Sequence, residues 1–201
     1  MEASAGLRGD MWLTAALDLG LSPARLRQAL RGLGLTTARP LPRQAGEIIR
    51  WINCSNIPVP FRRRLIRVWT VLARAEAQAH RVPWARVRFH QLAGPDTWVA
   101  FCGVALALEQ FRVRAMHVSR IPLGRFHIGH DGRGRNAPGP ATRRLLRRFP
   151  VVHRPDRFEW TTPTGAALLA AFASPRPPPP FRVAAMGHGL GLRLLLGKPL
   201  L

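Results

Sequence analysis

Three short blocks of the chain carry most of the side chains that could bind a ligand. The first contains His90 and Asp96, the second comprises residues 121–124 and 139–142, and the third is residues 161–169. In each block an extended segment is expected to lead into a helix, a place where backbone N–H groups and short polar side chains face a ligand. Function should therefore be sought at these junctions.

Imidazole and carboxylate groups in the first two blocks suggest a metal site. His90, Asp96 and His130 are the candidate ligands, because imidazole nitrogen and carboxylate oxygen suit nickel and zinc alike. His127 lies three residues before His130, a spacing that permits chelation without requiring it. The alternative is structural, with a histidine ending a strand and an aspartate capping the next helix. The spacing alone leaves both open.

Two further motifs could approach a phosphate. Thr162 and Thr164 flank Pro163 at an expected helix start, where hydroxyls and the positive end of the helix dipole favour an anion. Simple N-capping of that helix is the alternative. Gly187 and Gly189 lie in a glycine-rich stretch that could approach a phosphate closely. Without the full dinucleotide fingerprint, a plain turn after a strand is the alternative there.

Hydrophobic periodicity predicts the elements that position these motifs. The longest helical pattern runs from Pro58 to His80, and strands are expected to end at His90 and Ile121. Other helices are predicted from Asp10 to Gly20, after Ser22, and over residues 47–53, 96–111, 142–148 and 163–172, with further strands at 157–161 and 181–183. The prediction is a mixed α/β (α+β) fold, a single domain over residues 1–201 of short strands with several packing helices.

Positive charge dominates the composition. The net charge is +21, with 31 Lys and Arg against 10 acidic residues, and Lys198 is the only lysine. Such an excess favours a phosphate-rich partner such as nucleic acid, through counterion release. A rival explanation is codon usage in a GC-rich genome, since Arg, Ala, Gly and Pro abound and Tyr is absent. Nucleic-acid modules usually expose aromatic residues among basic ones, whereas Trp69 and Phe101 fall in patterns typical of a core.

Several other classes of protein are disfavoured. Cys54 and Cys102 are far apart and lack a Cys-x-x-Cys neighbour, so neither a disulfide framework nor a zinc knuckle is indicated. The longest apolar run, residues 98–108, is too short to span a bilayer, and no secretory leader is recognisable. No Ser/His/Asp order or pair of catalytic carboxylates points to a hydrolase. A cytoplasmic protein without a membrane partner is expected.

Several segments taken in chain order form a pattern more specific than any single motif. They are residues 9–13 (GDMWL), 16–20 (ALDLG), 74–77 with His80, Phe89 with His90, 121–124 (IPLG), 139–142 (GPAT) and 162–167 (TPTGAA). Together they resemble the nickel-insertion proteins that complete the lactate racemase cofactor. The matching blocks keep the family's order over nearly the whole chain.

The resemblance implies a function and a set of partners. A member of this family is a cytoplasmic cyclometallase, of the lyase class, that loads nickel into a pyridinium bis-thiocarboxylic acid mononucleotide, forms a metal–carbon bond and uses CTP. Arg133 and Arg135 could then hold the phosphate of the mononucleotide, while His90 or His130 could hand over nickel. An oligomer is expected, and no residue is assigned a catalytic role. The segments at His90, Pro122, Pro140 and Pro163 should converge on one cleft.

The chain also departs from the family pattern. The family's opening strand is missing, Gln91 replaces a glutamate, and Ala100 stands where a carboxylate is expected. Residues 36–46 replace a longer stretch with a His-rich, presumed nickel-storing tract, and the C-terminal nucleotide-using domain is absent after Leu201. These departures predict a shortened N-terminal portion, either inactive alone or served by a separately encoded C-terminal half.

Two other functions stay open from the sequence. One is a basic nucleic-acid-binding protein without catalysis, which would show salt-dependent retention on RNA or DNA and no nickel binding. The other is a structural relic of the family that has lost its activity.

Overall fold

The structure is a computed structural model that describes residues 1–37, 39–128, 134–136, 138–156 and 158–200. Seven α-helices occur in these residues, and each one was predicted from the sequence with small differences at its ends. They are α1 (Gly9–Asp18), α2 (Pro23–Gly32), α3 (Ala45–Cys54), α4 (Val59–His80), α5 (Pro95–Gln110), α6 (Pro140–Leu146) and α7 (Pro163–Phe172). No described helix is both long and apolar enough to cross a membrane.

The strands are short and form three separate two-stranded sheets in the described residues. The first sheet is parallel and pairs β1 (Ile121–Leu123) with β4 (Val151–His153). The other two are antiparallel hairpins, one of β2 (Phe126–Ile128) with β3 (Gly134–Asn136) and one of β5 (Phe181–Gly189) with β6 (Leu192–Pro199). The predicted mixed α/β single domain of short strands and several helices is confirmed.

Four strand predictions need correction. The expected strand before His90 is reduced to one bridge between Gln44 and Arg88, preceded by a 3-10 turn at Trp84–Arg86. The segment before Ile121 and residues 158–161 likewise contain one bridge each in place of strands, since each pairs with neighbouring chain at one residue only. Residue 157 lies outside the described residues. The last strand continues to Gly189 and returns as β6, since a tight turn at residues 190–191 reverses the chain.

A helical body formed by α3, α4, α5 and Phe89 contains a cluster of four buried aromatic rings. Trp69 of α4 lies 4.9 Å from both Trp98 and Phe101 of α5, and 5.5 Å from Phe89, measured between ring centroids. All four side chains are at most 2% exposed. Such tilted and edge-on pairs add to the free energy gained by burying apolar area. The other side of α4 carries Arg63, Arg67 and Arg74, which are exposed, as predicted for a solvated face.

The first seven residues connect two distant parts of the fold. Glu2 forms an antiparallel bridge with Arg193 of β6, and Leu7 forms a parallel bridge with Thr161 just before α7. Between these bridges, the Ala3 N–H donates to the Ser119 hydroxyl at 3.1 Å. The N-terminal segment therefore links the β5–β6 hairpin to the region where α1 and α7 begin.

Candidate functional site

Helices α1 and α7 start side by side. The segments that precede them run parallel to each other and form a bridge between Leu7 and Thr161. The Leu7 N–H donates to the Trp160 carbonyl at 2.8 Å, and the Thr162 N–H donates to the Leu7 carbonyl at 3.1 Å. Leu7 is followed at once by α1, and Thr161 by α7. The positive ends of two helix dipoles therefore lie close together.

The parallel pair β1 and β4 lies next to this junction. The buried Thr161 hydroxyl donates to the Pro122 carbonyl of β1 at 2.8 Å, and the Arg154 N–H after β4 donates to the Leu123 carbonyl at 2.8 Å. We call Leu7, Thr161, β1 and β4 the parallel edge. Ligands of α/β proteins bind beyond the carboxyl ends of parallel strands. Here those ends lead into α1, α7 and the segment that follows Leu123.

Helix α5 approaches the parallel edge at Ala100. A side-chain carbon placed on Gly9 would lie only 3.0 Å from both the Ala100 Cβ and the Thr164 Cγ2. A side-chain carbon on Gly165 would overlap the Leu7 carbonyl, so both glycines permit close packing of the backbone. Ala100 is 2% exposed. Ala100, where the sequence resemblance predicted a carboxylate, thus lies beside the starts of α1 and α7.

Charged groups border the parallel edge. The Arg8 guanidinium bonds both carboxylate oxygens of Asp10 at 2.9 and 3.1 Å, and this hydrogen bonding lowers the pKa of the Asp10 carboxyl. The Arg154 guanidinium donates to the Ser4 carbonyl at 2.6 Å and lies 4.2 Å from the Trp160 ring centre. Arg154 is therefore fixed in place against the N-terminal segment, with a cation–π contact to an aromatic ring.

The threonines at the start of α7 have structural roles as well. The Thr162 hydroxyl accepts a hydrogen bond from the Gly165 N–H at 3.3 Å, which is the N-capping alternative considered above. Thr164 is 9% exposed and packs against Gly9. Binding of an anion by these two residues stays a prediction.

The glycines at the end of β5 pack against α1. Side-chain carbons on Gly187 and Gly189 would overlap the carbonyl oxygens of Ala15 and Met11, respectively. The hairpin turn follows at Leu190 and Gly191, both with positive φ. The packing and the turn account for these glycines without a ligand, and their phosphate-binding role stays a prediction.

Two of the three candidate metal ligands lie at or just before the start of α5. His90 is exposed before α5, and Asp96 is exposed in the first turn of α5. His130 and Arg133 lie outside the described residues, whereas Arg135 belongs to β3. No group of three or more His, Cys, Asp or Glu suited to a metal ion occurs in the described part of the chain. The ligand set of His90, Asp96 and His130 stays a prediction.

Four segments were expected to converge on one cleft, and the structure brings three of them into contact. Pro122 is joined to the segment before Pro163 by the Thr161 hydroxyl, and the helix that starts at Pro140 packs on α7. His90 is connected to them through α5, by way of Phe89 and the aromatic rings of the helical body.

The Thr142 hydroxyl in α6 is fully buried and has no hydrogen-bond partner among the described residues.

Sequence reasoning missed an arginine cavity of about 340 Å³ between α4, α6 and α7. Arg74, Arg144, Arg147 and Arg148 line it, and no acidic residue does. The signal was present in the two arginine doublets at 143–144 and 147–148, one helical turn apart. Only packing against α4 shows that they share a cavity with Arg74.

Comparisons with known proteins agree with the resemblance seen in the sequence. The sequence profile of the nickel insertion protein family matches residues 37–199. Relatives named nickel insertion proteins in Roseiflexus castenholzii and Myxococcus xanthus are 35% and 34% identical to this chain over 98% and 99% of it. A pyridinium-3,5-bisthiocarboxylic acid mononucleotide nickel insertion protein of Staphylococcus epidermidis is 29% identical over 95% of the chain.

The matched regions amount to 58%, 57% and 54% of the lengths of these three relatives. The chain thus spans less than two thirds of the curated relatives that it matches. No solved structure matches it. With a family profile covering most of its length, the chain belongs to the nickel insertion protein family.

Proposed function

We propose that this chain takes part in inserting nickel into the pyridinium-3,5-bisthiocarboxylic acid mononucleotide, the compound in the name of the Staphylococcus epidermidis relative. The observation that carries the proposal is the family match over residues 37–199. The product would be the lactate racemase cofactor, formed by a cytoplasmic cyclometallase of the lyase class. The chain spans 54–58% of its relatives' lengths. CTP belongs to the proposal as the nucleotide that the family resemblance implies.

The parallel edge is the proposed binding place for the mononucleotide. Two helix starts supply N–H groups and positive dipole ends, which favour a phosphate. Thr162 and Thr164 lie at one of these starts, and Arg154 is fixed nearby. Arg133 and Arg135 belong to the stretch of chain that follows β1, so they would approach the phosphate from the segment leaving the same edge. Bidentate guanidinium contacts suit such a group.

Nickel is the cargo in this proposal, and the chain's histidines would deliver it. His90 and Asp96 are exposed near the start of α5, so both are accessible to an incoming ion, and His130 would complete the set. Nickel favours imidazole nitrogen. The aromatic core behind Phe89 would hold the backbone before His90 in a fixed position, which limits the ordering needed when the ion binds.

A nickel titration tests the ligand set. Isothermal titration of the full chain with nickel chloride should show saturable binding that weakens at least tenfold in His90→Ala and in His130→Ala. His80→Ala is the matched control, because His80 is an exposed histidine at the end of α4. Unchanged affinity in the first two variants would reject these ligands.

A reconstitution tests the reaction itself. The chain, the nickel-free mononucleotide, nickel and CTP are mixed with and without a C-terminal half taken from a full-length relative, and mass spectrometry measures nickel in the nucleotide. We expect incorporation that depends on this chain and is strongest with the second half present. Equal incorporation without the chain would refute the proposal. The nucleic-acid-binding alternative gains no support from the family match.

A further inference from the structure

The arginine cavity between α4, α6 and α7 gathers four guanidinium groups. Arg74 lies on α4 and Arg144 on α6, while Arg147 and Arg148 lie in the turn that follows α6. All four residues are exposed. The Arg144 guanidinium donates to the Gln78 carbonyl at 3.4 Å, whereas the other three side chains have no hydrogen bond or ion pair with any described residue. Three of the four groups are thus available to a ligand.

Acidic side chains that pair with arginine in the described residues do so away from this cavity. Glu109 pairs with Arg25 and Arg64. Asp10 pairs with Arg8. No acidic residue occurs in the described lining of the cavity. Because a cleft lined by charges of one sign concentrates ions of the opposite sign, the cavity should attract a negatively charged ligand.

The helix that ends at the cavity accounts for only part of this charge. Arg144 lies in the last turn of α6 and Arg147 follows it, where a cation complements the negative end of the helix dipole. Arg74 lies inside α4, more than one turn before the helix ends at His80. The dipole of α4 therefore does not account for it. An anion held between the two helices accounts for the arginines on both walls.

The floor of the cavity is apolar. Leu145 and Ala75 are buried there, and Val71, Phe149 and Ala170 also line it. The volume of about 340 Å³ lies at the lower end of the range for small-molecule pockets, roughly 300–1,000 Å³. A rim of guanidinium groups above such a floor suits a small ligand with an anionic head and a short apolar body.

The turn that carries two of the arginines is held at both ends. Before it, the Phe149 N–H donates to the Leu146 carbonyl of α6 at 2.9 Å. After it, the Ile121 N–H of β1 donates to the Pro150 carbonyl at 2.9 Å. A backbone fixed in this way reduces the ordering that ligand binding requires.

The cavity is separate from the parallel edge. Ala170 and Ala173 line it at the C-terminal end of α7, whereas the parallel edge lies at the start of that helix. The ten residues of α7 span roughly 15 Å. A ligand in the cavity therefore occupies a different site from the one proposed for the mononucleotide.

We propose that the arginine cavity binds a small organic diphosphate, with its phosphate groups among the arginines and a short apolar group on the floor. One phosphate group carries a charge of about −1.5 to −2 near pH 7, so two carry roughly twice that charge and match four guanidinium groups. Each guanidinium can bond two phosphate oxygens in parallel. The inference does not depend on nickel insertion.

A ligand series tests the proposal with the full chain. The probe is dimethylallyl diphosphate, titrated by calorimetry at an ionic strength of about 0.15 M, which screens general attraction by the net charge. We expect saturable binding of one molecule to the cavity. Dimethylallyl monophosphate should bind at least tenfold more weakly because it has fewer charges. Inorganic pyrophosphate should bind at least threefold more weakly because it leaves the floor uncovered. No saturable binding, or equal binding of the three compounds, would overturn the proposal.

Paired chain variants locate the site. Arg74→Gln and Arg148→Gln each remove a guanidinium group from the cavity and should weaken binding of dimethylallyl diphosphate at least tenfold. Arg63→Gln is the matched control, because Arg63 is also exposed on α4 but lies about 16 Å along the helix from Arg74. It should change the affinity less than twofold. Equal losses in the three variants would show that net charge alone attracts the anion, which would contradict the placement.

Discussion

The helical body and the parallel edge are held together by different interactions. In the helical body, Trp69, Trp98 and Phe101 bury large rings against one another. At the parallel edge, single bridges and a few hydrogen bonds join Leu7, Thr161 and Pro122. Apolar burial is proportional to area, whereas each hydrogen bond contributes only about 0.5–1.5 kcal/mol. The body therefore supplies most of the stability, whereas the edge is the proposed binding place.

Replacing Trp69 should have the largest effect. Trp69→Ala removes the ring that touches three other aromatic side chains, so we expect a loss of about 3–5 kcal/mol in the free energy of unfolding, measured by urea denaturation. Trp84→Ala is the matched control, because Trp84 is 39% exposed, and should cost less than about 1 kcal/mol. Similar losses in the two variants would refute the aromatic cluster as the main source of stability.

Substitution of Gly189 tests the packing of the β5–β6 hairpin against α1, the helix that starts at the parallel edge. Gly189→Val forces a side chain into the backbone of α1 at Met11 and Ala15, and overpacking of this kind costs roughly 1–3 kcal/mol. Thermal unfolding measures the loss. The same change at Gly139, which has open space around it, should cost less than about 1 kcal/mol. A fully stable Gly189→Val protein that has lost nucleotide binding would favour the phosphate-loop hypothesis over packing.

Substitution of Thr161 tests the hydrogen bond that holds the parallel edge together. Thr161→Val keeps the shape of the side chain but leaves the buried Pro122 carbonyl without its hydroxyl donor, so we expect a loss of about 1–3 kcal/mol in urea denaturation. Thr14→Val, on the exposed side of α1, is the control for the substitution. A change below about 0.5 kcal/mol at Thr161 would mean that the edge does not depend on this bond.

Loss of the Arg8–Asp10 ion pair should have the smallest effect on the free energy of unfolding. Because the Arg8 guanidinium lowers the pKa of Asp10, the stabilisation is present above the ordinary Asp value of 3.8 and is lost as the pH falls through the lower folded-state pKa. Both side chains are substantially exposed, which limits the effect to a few tenths of a kcal/mol. Unfolding of wild type and Asp10→Asn between pH 6 and pH 2 should converge at the acid end. A constant difference would contradict the assignment.

The same contrast explains what could be predicted from the sequence. Helix α4 was predicted because Leu65, Val68 and Leu72 recur with helical spacing. Helix α2, outside the body, was predicted because Ser22 caps it through its hydroxyl. The strands were predicted poorly because single bridges, such as Leu7 with Thr161, leave no period-two pattern. β4 was missed since three residues are too few to alternate.

The site was predicted in part for a related reason. The threonines and proline at residues 161–163 predicted the start of α7, and the structure joins Thr161 to Pro122. Pro122 itself lies in β1, where the sequence predicted a turn. The arginine cavity depends on segments far apart in sequence, such as those that carry Arg74 and Arg148. No local sequence pattern indicates that residues so far apart in the chain lie close together.

The bond from Arg154 to the Ser4 carbonyl spans 150 positions of the chain. Closing so long a loop carries an entropic penalty that grows with its length, and contacts of this kind slow folding. The helices can form from neighbouring residues long before the two strand-like segments meet. During synthesis, the chain must therefore emerge past residue 162 before the parallel edge can assemble. A ribosome-bound fragment ending near residue 150 would hold a helical core without the assembled parallel edge.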